Sequence, residues 1–347
     1  MLQTVATAAA AVIVLAALYA ARGALMLIYV SALIAMGFSP LVRFIQLRRG
    51  GDGRSRVPRT LAILVIYLVI VGVLILLGLM VVPPLVSQAR DLWARVPGTF
   101  DDFQRFLIRY RLMTRRVTLQ AALQNAPVGS GGNAVSTVLV AISSVIGGVF
   151  GAITILILSF YLLVEAEPLL GYLMRFVPTP QRTRVGTAAR EAVLKVSAWL
   201  RAQLILAGVM GAFAAVGLGV MGEPYFYVVA FIAAIGETIP IVGPIIGGVT
   251  AVAVAITTST TLALKVGILF LILHQLEANV LVPKIMERRV GVSPVAVIVA
   301  LLIGGALWGL AGAILAIPTA AILAAFIDEF AAHGELVESR ESQVDSR

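Results

Sequence analysis

One carboxylate, Glu237, stands within an otherwise apolar stretch of the chain, in the sequence FIAAIGETIPIVGPIIGGV. Ionisable side chains inside hydrophobic segments are energetically expensive, and they usually face a partner or a pore. Pro240, Gly243 and Pro244 follow closely, and residues of these types interrupt a helix. Interrupted helices at membrane depth expose free backbone groups, from which many secondary transporters build substrate and ion sites. The pattern therefore predicts an ion or solute site around Glu237.

A second polar cluster lies in the sequence HQLEANVLVPKI. Gln275 and Asn279 are four residues apart and share a helix face, whereas Glu277 lies off that face. We expect Glu277 to be a second ion- or proton-responsive carboxylate, with Gln275 and Asn279 as polar lining. The alternative is that Glu277 lies near the inner membrane interface and pairs with Lys284 or Arg201.

The sequence lacks the side-chain patterns of soluble enzymes. It has no cysteine and only two histidines, His274 and His333, neither with a second ligand at metal spacing. The nucleotide-binding pattern G-x-x-x-x-G-K-[ST] is absent. Arginines are frequent between residues 84 and 136, but without the aromatic interleaving or known module of a nucleic-acid site. We expect no enzyme activity, no cofactor or metal, no nucleic-acid partner, and a gradient as the driving force for any uphill movement.

The composition requires a lipid environment for these segments. Of the 347 residues, 60% are hydrophobic and 12% are charged, about half the charged fraction of a soluble domain. Long apolar runs are close to or above the roughly 20 residues that a membrane-spanning helix needs, and they do not alternate as barrel strands do. The fold class predicted is an all-α, polytopic membrane helical bundle of about seven or eight hydrophobic segments. The runs are 2–21, 23–42, 60–82, 137–164, 203–221, 225–258, 262–283 and 292–327.

Two of the apolar runs are too long for one span and short for two. The segment 225–258 fits a re-entrant hairpin bent at Pro240–Pro244, and 291–326 fits a second hairpin bent near Gly304–Gly309. We expect the transport site to lie between these hairpins. The alternative is that the glycines only allow close helix packing, as in G-x-x-x-G pairs.

Basic residues suggest an orientation. Arginines crowd the short connection 43–59, which places that loop and the N-terminus in the cytoplasm. The arginine-rich segment 84–136 is then extracytoplasmic and amphipathic, with Pro97–Gly98 dividing it. The stretch 178–201 either lies on the membrane surface or is an ordinary solvated helix. The organisation predicted is N-terminal transmembrane helices in 1–83, the segment 84–136, a transmembrane helix in 137–165, an amphipathic cytoplasmic segment in 166–202, a transport core in 203–328, and a polar tail in 329–347.

Five stretches of the chain resemble the autoinducer-2 exporter (AI-2E) family. The resemblance covers nearly the whole chain and is most specific between residues 222 and 318. One departure is Ala202, where the family more often has glycine. The stretches are FYLLVEAEPLL (160–170), WLRAQL (199–204), GEPYFYVVAFIAAIGETIPIVGPIIGG (222–248), HQLEANVLVPKIMERRVGVSPV (274–295) and LLIGGALWGLAGAILAIPTAAIL (301–323). The positions that match the family's characteristic residues are Arg201, Gln203, Pro240, Gly243, Pro244, Gln275, Glu277, Asn279, Pro283 and Pro294.

The resemblance implies a multi-pass transport protein of the bacterial inner membrane that forms homo-oligomers, with pentamers expected. Family members have been linked to export of autoinducer-2 and, in other cases, to sodium–proton antiport. Our leading hypothesis is a gradient-driven exporter of a small polar solute such as autoinducer-2, with Arg201 and Gln203 also lining the site and H⁺ or Na⁺ as the coupling ion. The alternatives are a sodium–proton antiporter using Glu237 or, from another class, a channel-like or scaffold oligomer without a coupled cycle.

Overall fold

The computed structural model describes residues 2–47, 58–109, 134–239, 242–286 and 293–345, which are helical with short connections and contain no β-strand. A 3₁₀ turn, Thr179–Gln181, precedes α6, and a π-helix, Glu277–Leu281, joins α9 to α10. The helices are α1 (Leu2–Ala20), α2 (Arg22–Leu47), α3 (Arg59–Arg109), α4 (Ala134–Val164), α5 (Ala166–Arg175), α6 (Arg182–Val220), α7 (Phe226–Gly236), α8 (Val242–Ala255), α9 (Thr260–Leu276), α10 (Val282–Met286) and α11 (Pro294–Asp345).

Within these ranges, five helices are long and apolar enough to cross a membrane. A sixth candidate is the pair α4–α5, which is bent by 71°. The bend has a local cause, because the ring of Pro168 clashes with the carbonyl of the residue four positions earlier, and α4 ends at that residue, Val164. Large apolar side chains such as Leu79 and Leu302 are exposed on the outer surface, as in a protein solvated by lipid. The all-α, polytopic membrane class is confirmed.

Helix α3 is longer than a membrane span. Its 51 residues extend about 77 Å, more than twice the hydrocarbon thickness of roughly 30 Å. The helix continues without interruption through Pro97 and Gly98, so the expectation that these residues divide the segment is wrong. A proline removes a single backbone hydrogen bond, and the remaining bonds of so long a helix keep it continuous. Beyond the apolar part, Gln88 accepts hydrogen bonds from the N–H groups of Tyr227 and Val228 at the start of α7 (3.1 and 3.4 Å).

Helix α6 is central to the fold and packs against α2, α7 and α11. It is one helix of 39 residues, so the boundary drawn at 202–203 falls inside it. Small buried residues, among them Ala188, Ala202 and Ala214, let neighbouring helices approach closely. Ala202 is only 3% exposed, which shows that alanine still fits where the family more often has glycine.

The short helices α7 and α8 lie antiparallel against one another. Gly236 and Gly243 are in backbone contact, and a Cβ atom on Gly247 would lie 3.3 Å from Ala233. A Cβ atom at Gly243 would overlap the carbonyl of Gly236, so this crossing requires glycine. With 11 and 14 residues, these helices are about 17 and 21 Å long and are shorter than the hydrocarbon core.

Helix α11 is interrupted at Trp308 and Gly309, whose dihedral angles are not helical (Gly309 φ 59°, ψ −137°). The backbones of Gly304 and Gly312 are in contact, although eight residues of a continuous helix would separate them by about 12 Å. The chain therefore turns back here and divides α11 into a first arm (294–307) and a second arm (310–345). The second arm packs on α2 and α6 through Leu315.

Candidate functional site

Helices α6, α7, α8 and α9 enclose a small cavity, which we call the carboxyl cavity. Its volume is about 20 Å³, room for a single water molecule or a body of that size. The wall is mostly apolar, and Glu237 supplies its only carboxylate among the described lining residues. The cavity is lined by Met210, Ala214, Ala233, Glu237, Gly243, Pro244, Gly247, Phe270, Leu273 and His274.

Glu237 is placed by the end of α7. Helix α7 stops at Gly236 and is followed by a tight turn, in which the N–H of Ile239 donates to the carbonyl of Gly236 at 2.8 Å. The last carbonyls of a helix have no partner within it. The side-chain amide of Gln203 on α6 donates to the backbone carbonyl of Glu237. This bond fixes the residue in the cavity wall, where only 4% of it is exposed.

Glu277 is the first residue of the π-helix that follows α9. Single π turns within α-helices occur frequently at functional sites. The carboxyl group of Glu277 faces that of Glu237, close enough for direct interaction. His274 Nδ1 lies 3.8 Å from Glu277 Oε2. Glu277 therefore faces Glu237 and His274, rather than Lys284 or Arg201.

Three of the predicted site residues lie elsewhere. Gln275 and Asn279 are exposed and bonded to each other, with Asn279 Nδ2 donating to the Gln275 carbonyl at 2.9 Å. Arg201 is exposed on α6, and its Nε donates to the carbonyl of Ser197 at 3.2 Å. None of these three belongs to the described cavity wall.

Two prolines complete the predicted set. Pro240 lies outside the described residues. Pro294 begins α11, and its side chain also lies outside the described part. The lining residues that the structure describes come from α6 to α9, with no contribution from α11. The segment 225–258 therefore contributes to the cavity wall, whereas the described part of 291–326 does not and packs elsewhere on α6.

Helical spacing in the sequence is enough to identify His274 and part of the apolar wall. Phe270, His274 and Glu277 follow an i, i+4, i+7 spacing, which places all three on one face of a helix. Met210 lies seven residues beyond Gln203 and shares its face in the same way. Both signals were present in the sequence, but the polar pair Gln275 and Asn279 drew attention to the opposite face.

The electrostatics of the cavity favour a cation. Glu237 lies in a mostly apolar wall and interacts with Glu277 beside it, and the described lining residues include His274 but no lysine or arginine. In a low-dielectric environment a negative charge is stable only with a cation or a proton beside it. The pair formed by Glu237 and Glu277 can therefore hold one small cation or a proton.

Short helices that meet around acidic side chains inside an apolar bundle are typical of membrane transport proteins. The chain belongs to the AI-2E transporter family, because the family model described as AI-2E family transporter matches residues 9–332. YueF of Bacillus subtilis, whose name proposes a transport role, is 28% identical over 83% of this chain and 79% of its own length. The AI-2 transport protein TqsA of Escherichia coli is 25% identical over 86% of this chain and 83% of its own.

Proposed function

We propose that this protein is a gradient-driven secondary transporter in which Glu237 and Glu277 bind the coupling ion. The single observation that carries this proposal is that Glu237, which interacts directly with Glu277, lines a small and mostly apolar cavity. A site that exchanges a proton for a cation can couple solute movement to an ion gradient. The proposed transport cycle makes and breaks no covalent bond in the solute, so the proposal includes no enzymatic activity.

The solute proposed is a small polar molecule such as autoinducer-2, moved outward across the bacterial inner membrane. Support comes from the family and from the name of TqsA. We further propose that α7 and α8 form a re-entrant hairpin, because neither is long enough to cross the hydrocarbon core. The family resemblance supports a homo-oligomer in which each subunit has its own carboxyl cavity.

The test is flux by purified protein in liposomes under an imposed proton or sodium gradient. Glu237→Gln keeps the shape of the side chain and removes its charge, so we expect gradient-dependent flux of autoinducer-2 to be lost. Glu191→Gln is the matched control, because Glu191 is an exposed carboxylate on α6, and this variant should transport like the wild type. Gradient-dependent flux that survives in both Glu237→Gln and Glu277→Gln would overturn the assignment.

The size of the cavity also favours a second candidate, a sodium–proton antiporter. A space of about 20 Å³ accommodates a body the size of a water molecule and no organic solute. Sodium-dependent proton flux in liposomes that contain no organic solute would support antiport. Proton flux that requires autoinducer-2 would favour the exporter instead.

A further inference from the structure

A long groove runs beside the carboxyl cavity, between α8 and α9. It has a volume of about 840 Å³, within the range of small-molecule sites in proteins. On α9 it extends from Thr260 to His274, a distance of about 21 Å. On the antiparallel helix α8 it extends from Pro244 to Ile256. We call this feature the α8–α9 groove.

The α8–α9 groove is apolar and open to the surrounding lipid. Small residues, Gly248 and Gly267 among them, form its floor. Val249 and Leu264 form part of its rim and are 65% and 68% exposed. Its polar side chains, among the described lining residues, are those of Thr260 at one end and His274 at the other.

The groove joins the carboxyl cavity at one end. Pro244, Phe270 and His274 line both spaces. A molecule in the groove therefore has its apolar part in contact with lipid-facing side chains and one end directed at Glu237 and Glu277. A carboxyl pair is complementary to a cationic end. The space available there is about 20 Å³, which fits a primary ammonium group, about the size of a water molecule, and is too small for a quaternary one.

We propose that the α8–α9 groove binds the alkyl chain of a long-chain primary ammonium compound, which enters from the bilayer and places its ammonium group in the carboxyl cavity against Glu237, whose carboxyl group interacts with that of Glu277. This inference rests on the proposed role of the carboxyl pair as a cation site. It adds a substrate class, cationic amphiphiles, and a lateral route from the lipid. Because the ammonium group and the coupling ion occupy the same position, binding of one displaces the other.

Photoaffinity labelling of the purified protein in liposomes tests the groove. The probe is dodecylammonium with a diazirine at the end of its chain, and labelled peptides are located by mass spectrometry. We expect label on α8 and α9 in the part of the groove near Leu264 and Ala253, and we expect excess unlabelled dodecylammonium to suppress it. Label spread evenly over lipid-facing helices such as α3 would overturn the proposal.

Two variants fill the groove from opposite walls. A Cβ atom on Gly267 would lie 3.6 Å from Val252, an ordinary contact, so Gly267→Leu adds its bulk to the groove, and Val249→Trp does the same from α8. Each variant should displace about two methylene groups of the bound alkyl chain. Unlabelled dodecylammonium should therefore compete about tenfold more weakly in each variant than in the wild type. Gly208→Leu is the control, because nothing lies within 4 Å of a Cβ atom there. Wild-type labelling in both groove-filling variants would overturn the proposal.

The head group provides the last comparison. A probe with the same chain and a trimethylammonium head should label the groove less than the primary ammonium, and Glu277→Gln should remove this difference. Equal labelling by both heads in the wild type would overturn the placement of the head. The outcome is separate from that of the proposed function, which depends on ion flux in Glu237→Gln. If Glu237→Gln abolishes flux and labelling is unspecific, the proposed transporter function stands and the proposed amphiphile site is rejected.

Discussion

Gln203 supports the site through the backbone of Glu237, since its amide donates to the carbonyl at the end of α7. Gln203→Leu removes this donor and leaves a buried carbonyl unpaired, which costs about 1–3 kcal/mol. We expect a lower melting temperature in thermal unfolding and weaker gradient-dependent flux. The matched control is Gln275→Leu, because Gln275 is exposed on α9. Equal melting temperatures for the two variants would contradict the role given to Gln203.

Glu223, in the connection between α6 and α7, is buried, with 2% of the residue exposed. Burial raises the pKa of this carboxyl, and the N–H of Tyr225, which donates to Oε1 at 3.3 Å, lowers it by less. A raised pKa means that the folded state favours the protonated form. The stability from this group is therefore complete below the ordinary carboxyl pKa and is lost as the pH rises through the folded-state value.

A substitution of Glu223 should reveal this pH dependence. Glu223→Gln keeps the size of the side chain and cannot ionise. We expect it to raise the melting temperature relative to wild type more at about pH 8 than at about pH 5. Glu191→Gln, on the exposed face of α6, should show no such pH dependence. A Glu223→Gln effect that is the same at both pH values would show that burial does not control this carboxyl.

At this scale the sequence predicted the acidic residues better than their surroundings. Glu237 is identifiable because a carboxylate in an apolar segment is costly anywhere except at a partner or pore. The surroundings of Gln275 and Asn279 were harder to predict, because i, i+4 spacing shows that two residues share a face and not which neighbour that face meets. The contact between Glu237 and Glu277 joins residues 40 positions apart, so it depends on how α7 and α9 each pack against α8.

Among the elements, the turn in α11 depends on two glycines that meet across it. Gly304→Ala would place a Cβ atom against the backbone of Gly312, and the arms would have to separate. Such overpacking costs about 1–3 kcal/mol. Gly305→Ala is a control one residue away, where nothing lies within 4 Å of the added atom. Thermal unfolding should show a loss of stability for Gly304→Ala alone, and equal losses would mean that the arms do not touch.

The lengths of the apolar runs predicted the elements, whereas their continuity was harder to predict. The bend near Gly304–Gly309 was identifiable because glycines, which favour breaks in a helix, cluster there. The continuity of α3 through Pro97–Gly98 was not identifiable from the sequence. The energetic cost of a proline is local, whereas the hydrogen bonds that outweigh this cost are distributed along the helix. Helix α6 also continues through the predicted boundary between 166–202 and 203–328. The density of charged residues changes at this boundary, but a change in charge does not interrupt a helix.

For the whole molecule, the arginine distribution predicts an orientation that labelling can measure. The chain has no cysteine, so a single introduced cysteine is the only reactive thiol. Ser130→Cys should react with a membrane-impermeant maleimide in intact cells, because 84–136 is predicted to be outside. Ser55→Cys, in the basic segment 43–59, should react only after permeabilisation. Both positions lie outside the described residues, and the opposite labelling pattern would invert the predicted topology.

The π-helix at Glu277–Leu281 makes this site sensitive to chain length as well as to side-chain identity. A π turn is an α-helix that accommodates one residue too many. Deleting Ala278, which is exposed, would let the helix close into regular α geometry and rotate its two halves relative to each other by about 100°. Glu277 would keep its place at the end of α9, whereas α10 would turn away from its present neighbours on α6. A one-codon deletion would thus reorient the chain that follows the carboxyl pair while removing no residue of the pair.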